Sequence, residues 1–164
     1  IQKNQEDDHN YKCELVCIEP YEAPWLESTG AQVMRKRLEE IELDFFSQLT
    51  SNDILFIDSS HVIKPGGDVT YAYLEILPSL RPGVLVHIHD IFSPRHYRSD
   101  WMNEKILLWN EQYLLEAFLS YNEDWIIVAA LNFLHHNHFA ALKLVCPFLN
   151  ESDEPGSFYI QKLS

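Results

Sequence analysis

Four apolar residues in unbroken succession, Ile54-Leu55-Phe56-Ile57, end abruptly on Asp58, two serines and His61. A strand that is apolar at every position, rather than at every second one, needs cover on both faces, so this run predicts a central strand of a parallel sheet flanked by helices. The pattern returns as Gly83-Val84-Leu85-Val86-His87-Ile88-His89-Asp90. Between the two runs, Pro65, Gly66 and Gly67 break regular structure. Asp68 can then cap a helix through Leu80, with Val69, Tyr73, Ile76, Leu77 and Leu80 on one stripe and Arg81-Pro82-Gly83 as its stop. Strand, helix and strand of this length make a parallel crossover unit. Ligands of such sheets lie beyond the carboxyl ends of the strands, and here both ends carry acid and imidazole, which points to one shared site.

The remaining elements extend the same alternation. Residues 12–18 read as a strand ended by Glu19-Pro20, which holds the acid at a strand tip. Residues 23–28 read as one or two helical turns, 32–43 hold a short strand, and Asp44 stands as N-cap of a helix over 45–49. Residues 91–103 are irregular, aromatic and basic, as suits a lid or substrate loop. A helix over 104–120 follows, then a strand over 125–131, an exposed histidine-rich turn over 134–138, and a helical segment over 139–145. The tail, GSFYIQKL, reads as a strand antiparallel to 125–131. The expectation is one domain, 1–164, with a doubly wound α/β fold whose sheet is mostly parallel with an antiparallel C-terminal strand.

Composition narrows the function. With 46% hydrophobic residues in 164, the chain can fill a substantial core, while a net charge of −13 repels a phosphate backbone and argues against nucleic acid. No apolar run approaches the roughly 20 residues that span a bilayer, and the polar, acidic start is unlike a signal peptide, so a cytoplasmic protein without membrane contact is expected. Cys13, Cys17 and Cys146 read as buried thiols. Asp58 and Asp90, on neighbouring strands, would either share a proton or bind a cation such as magnesium.

The segments VCIEPYEAPWLE, DILFIDSSHVIKPGGDV and LRPGVLVHIHDIF, in this order and spacing, resemble the class I S-adenosylmethionine-dependent methyltransferases with a Rossmann-like fold. More narrowly they resemble the group with Ile-Asp-x-x-His after strand four and His-Asp after strand five, which includes natural-product and sugar O-methyltransferases and relatives near the cephalosporin hydroxylases. The resemblance spans residues 12–92. It implies Glu19 as the acid that accepts from the ribose hydroxyls, with Tyr21 and Asp58 on the cofactor side. It further implies Asp58, His89 and Asp90 as ligands of a metal ion, Mg2+ or similar, and His61 as the base that takes a proton from a small-molecule hydroxyl acceptor. Arg95, Tyr97 and Trp101 of the loop would hold that acceptor.

The family's first strand and glycine-rich turn should precede residue 12, and no such segment stands there, so the resemblance implies a truncated domain with its first strand missing. Exposed sheet edges would then invite pairing with a second copy. Two alternatives stand beside the enzyme. One is a non-catalytic domain that keeps the fold for binding or assembly, distinguished by cofactor binding. The other is a metal-dependent hydrolase or oxygenase built on His87, His89 and Asp90. Strand alternation opposes that, since His87 and His89 share one face and Asp90 the other, leaving His87 a packed, hydrogen-bonded strand residue.

Overall fold

A computed structural model describes residues 13–21 and 23–164, and the chain divides into two units, Ile1–Ile41 and Glu42–Ser164. In the first, β1 (Val16–Ile18), α1 (Pro24–Glu27) and β2 (Gln32–Met34) form a small crossover. The strands pair in parallel, Val16 with Gln32 and Ile18 with Met34. Pro24 opens α1, where its missing N–H costs nothing. The Arg35 guanidinium ties the unit together, donating to the carbonyls of Glu19 and Tyr21 and pairing with Glu27. β2 is the short strand expected within 32–43, and it occupies only the start of that stretch; a 3-10 turn, Leu38–Glu40, follows.

The second unit opens with α2 (Leu43–Phe46), which begins before Asp44, so Asp44 lies in its first turn and not at its cap. The crossover expected around the two apolar runs is present: β3 (Ile54–Ile57), helix α3 and β4 (Leu85–Ile88), with the strands in parallel register from Ile54–Leu85 to Ile57–Ile88. Gly83, two residues ahead of β4, sits at φ +86, and a side chain there would collide with Ser51. Helix α3 is composite: Asp68–Tyr71, a π-helical stretch Ala72–Ile76, then Leu77–Ser79. Pro78 has no N–H for the i−4 carbonyl, which is consistent with the ladder widening just ahead of it. Val69, Tyr73, Ile76, Leu77 and Leu80 are all buried, as the stripe requires.

Downstream, tertiary contacts overrule local pattern. Instead of one helix over 104–120 there are α4 (Ser99–Asn103), an irregular stretch with Ile106 at φ +55, and α5 (Glu111–Leu119). The amides of Asn110 and Glu111 donate to the His61 carbonyl, which anchors the start of α5 to the loop after β3. Strand β5 (Trp125–Ala130) leads into α6 (Leu131–Val145), kinked at His138, so the histidine run is helical and not an exposed turn. His135 is buried with Nε2 on the Asn150 carbonyl, and His136 pairs with Glu154, because the loop over 146–156 folds back on the helix.

The tail forms β6 (Phe158–Lys162), antiparallel to β5 as expected and also to β4, giving the order β3-β4-β6-β5. β3, β4 and β5 thus run one way and only the C-terminal β6 runs the other, as expected, but β3 lies at the edge of this sheet and not at its centre. Leu55 and Ile57 turn toward the core side while Ile54 and Phe56, on the opposite face, are exposed. The buried face carries Val86, Ile88, Phe158 and Ile160; α5 joins α3 through an edge-to-face pair of Tyr73 and Phe118, which also meets Trp125. The cysteines are half-buried and not core residues. Among the described residues no helix is long and apolar enough to cross a membrane.

Because Ile160 sits fully buried in the middle strand, Ile160→Ala is expected to cost about 2–5 kcal/mol, seen as a lower urea midpoint at constant slope. Ile127→Ala, at the register partner of Ile160 on β5 but 53% exposed, should cost clearly less. Equal effects would contradict the assigned sheet order.

Candidate functional site

Parallel register brings the two strand tips side by side. Ile57 pairs with Ile88, and the His89 amide donates to the Ile57 carbonyl, so Asp58 and His89 leave the sheet together. Asp90 then turns at φ +55, which swings its carboxylate back beside His89. The alternation argument that put Asp90 on the opposite face fails here, because alternation holds only while the backbone stays extended. Gly156 supports the turn: its carbonyl accepts from the Ile91 amide, and a side chain on it would crowd the Asp90 backbone.

The result is a compact donor set. His89 Nδ1 stands 3.6 Å from Asp58 Oδ1 and 3.3 Å from Asp90 Oδ1. One ligand atom from each of Asp58, His89 and Asp90 lies within 4.8 Å of the others. Nδ1 of His89 is a buried atom with no hydrogen-bond partner among the described residues. A buried polar atom without a partner is costly, and this nitrogen beside two carboxylates can be answered either by carrying a proton toward them or by joining them around a cation. Arg98 is committed to Asp100 through two hydrogen bonds, so it does not neutralise Asp90.

His61 stands over this set. It is buried, at φ +57, with Nε2 3.4 Å from Asp58 Oδ1 and 3.8 Å from Asp90 Oδ2. Its Nδ1 lies 2.8 Å from Oε2 of Glu111, a fully buried residue. The Trp109 ring lies 4.3 Å from the imidazole, centroid to centroid. Burial alone would lower the pKa of His61, but the Glu111 hydrogen bond and charge, with Asp90 and Asp58 behind it, outweigh burial and raise it. Asp68 holds the loop from its other side, accepting from both the amide and the hydroxyl of Ser60 at 2.7 Å. Burial opposes ionisation of Asp68, yet the Ser60 donors, the Val69 amide and Lys64 leave its pKa lowered.

Of the loop residues, Arg95 is exposed, and its carbonyl accepts from the Gln112 side chain. Tyr97 is buried and its hydroxyl accepts from the Gln112 amide, which makes it part of the wall. Trp101 is half-buried, edge-on to Phe92 and to Trp109, with Arg98 and Lys105 over its face. His87 stacks on Tyr159 at 4.3 Å, but its Nε2 has no hydrogen-bond partner among the described residues, so only the packing half of its expected role holds. Burial, and then His89, lower its pKa. In the first unit, Glu19 sits at the carboxyl end of β1 with Oε1 accepting from the Tyr21 amide at 2.8 Å, and Tyr21 and Trp25 are exposed.

Two residues of the site escaped the sequence, Glu111 and Trp109. The signal available was Asn110 as a helix start, which marks a boundary but names no partner across 50 residues. Among known proteins, residues 2–91 match a family model described as a methyltransferase domain. No curated protein and no solved structure matches the chain significantly.

A carboxylate whose folded pKa is depressed stabilises the fold above its unfolded value and loses that contribution as pH falls through the folded one. Asp68→Asn should therefore lower the urea midpoint at neutral pH, and the gap to wild type should close below about pH 4. A gap that persists unchanged into acid would show that the Asp68 charge does not hold Ser60.

Proposed function

The chain belongs to the methyltransferase domain family, and on that footing we propose that it moves a methyl group from S-adenosylmethionine to a hydroxyl of a small molecule, assisted by a divalent cation. The observation that carries the finer part of this reading is the convergence of Asp58, His89 and Asp90 beneath the imidazole of His61. Two carboxylates with one imidazole suit magnesium or manganese. Such a cation, when bound, would lower the pKa of an acceptor hydroxyl and orient it. S-adenosylmethionine supplies an electrophilic methyl on its sulfonium.

The chain's own residues supply the rest. Nε2 of His61 takes the hydroxyl proton while the oxygen–methyl bond forms and the sulfur–methyl bond breaks, leaving S-adenosylhomocysteine and an imidazolium. Its neighbours Asp58 and Asp90 stabilise that positive charge, and Glu111 does so from the other nitrogen. Within the first unit, Glu19, held by the Tyr21 amide, offers a carboxylate suited to two ribose hydroxyls, with Tyr21 beside it; within the second, Asp58 is the residue for the cofactor side. Trp109, Trp101 and Phe92 form an apolar wall against His61 that limits water around the acceptor, with Arg95 and Tyr97 in the same loop region. In this reading the arrangement is Rossmann-like and the site of action is cytoplasmic. Pairing of a second copy along an exposed sheet edge remains part of the proposal.

The test is release of S-adenosylhomocysteine across a panel of phenols, catechols and sugars. Chelation is expected to abolish turnover and Mg2+ or Mn2+ to restore it. Asp90→Asn and Asp58→Asn should each weaken Mn2+ binding by more than the roughly tenfold that even an outer-shell loss costs. Turnover indifferent to chelation would sink the metal role, and failure to bind S-adenosylhomocysteine would sink the cofactor role.

A further inference from the structure

The geometry points to Glu111 as the positioning residue for His61: a buried carboxylate at the start of α5 that holds the imidazole with its hydrogen on Nδ1 and its Nε2 lone pair turned to Asp58 and Asp90. An ionised carboxylate can only accept, and Oε2 of Glu111 accepts from the Ser59 hydroxyl at 2.7 Å and faces His61 Nδ1 at 2.8 Å. With no exposed surface, Glu111 is cut off from bulk water, and its other oxygen, Oε1, has no hydrogen-bond partner among the described residues, so the two donors on Oε2 are the ones it has. The hydrogen therefore belongs on Nδ1, and Nε2 is left as the base.

The backbone repeats the constraint. The His61 carbonyl accepts from the amides of Asn110 and Glu111, at 2.9 and 3.2 Å, and Asn110 Oδ1 accepts from the Ile63 amide. Ring and main chain of His61 are thus fixed to the same helix start. That is what a non-glycine residue needs to persist at φ +57. Trp109, two residues ahead of α5, lies against the ring and restricts its rotation. Ser59 does double duty, since its hydroxyl oxygen also accepts from the His61 amide. The catalytic consequence rests on the methyl-transfer reading, while the tautomer does not.

The experiment is long-range proton–nitrogen correlation NMR of histidine-labelled protein in alkaline buffer, with His61→Asn used to assign the ring. Wild type should show His61 as the Nδ1–H tautomer, and Glu111→Gln should redistribute it toward Nε2–H. An Nε2–H ring in wild type, or no change in a folded variant, overturns the proposal. The wild-type pattern decides by itself should Glu111→Gln not fold. In the same alkaline buffer, where the His61 ring is neutral in both proteins, Mn2+ affinity in Glu111→Gln is expected to stay within about tenfold of wild type, because Glu111 touches no ligand-set carboxylate. A loss of about 10–100-fold, as behind a metal-bound imidazole, would make His61 a ligand instead of a base and overturn the proposal. With an accepted substrate, kcat should fall about 100-fold while KM holds. If no acceptor is turned over yet the tautomer is as stated, the methyl-transfer reading fails and Glu111 keeps its role.

Discussion

A carboxylate removed entirely from water has to be answered by hydrogen-bond donors, and the second unit is organised around answering Glu111. Its donors come from residues 59 and 61, far away in sequence, so satisfying it welds the loop after β3 to the start of α5. The same weld uses main-chain groups, the His61 carbonyl and the Asn110 and Glu111 amides, which caps the helix and pins the loop at once. Above it, Tyr73 is buried beside the same carboxylate. Burial, and then Glu111, push its hydroxyl pKa well above the ordinary range, so it stays protonated. The hydrogen bonds of Ser59 and His61 to Glu111 tie α5 and the loop into one piece, while α3 joins them through the burial of Tyr73, whose hydroxyl has no hydrogen-bond partner among the described residues.

The electrostatics of the strand tips follow from that knot. Three carboxylates, Asp58, Asp90 and Glu111, surround one imidazole, and all of them raise its proton affinity. Without a cation, any proton added at Nε2 would sit against the two acids nearest it. A divalent ion bound to Asp58, His89 and Asp90 would balance those acids and favour neutral His61, the form able to accept a proton. On the proposed reading, metal and base would be coupled through charge.

Much of this was legible. The apolar runs at 54–57 and 84–88, the helical stripe between them and the acids and imidazoles at their ends all appear where the pattern put them, since burial and parallel pairing act on contiguous residues. Asp58, His61, His89 and Asp90 meet because equal strand lengths in parallel register bring their ends together. What local reading misjudged was set by distant partners. Residues 104–110 have the composition of a helix, but the aromatic packing of Trp109 on His61 and the capture of the 110 and 111 amides draw them out of one. Residues 134–138 look like a polar turn, but become helix once the loop over 146–156 supplies partners for His135 and His136.

By itself, then, the sequence determined the crossover, the buried stripe and the chemistry available at two strand ends, because each depends on periodicity and on side-chain type over a few neighbouring residues. Tertiary structure alone decided that β6 enters between β4 and β5, leaving β3 at an edge, and that Asp90 bends back to join His89. It alone decided that a glutamate 50 residues away holds the histidine. Those outcomes rest on which groups can satisfy one another once water is excluded, and that is a property of the folded arrangement, not of any stretch of chain.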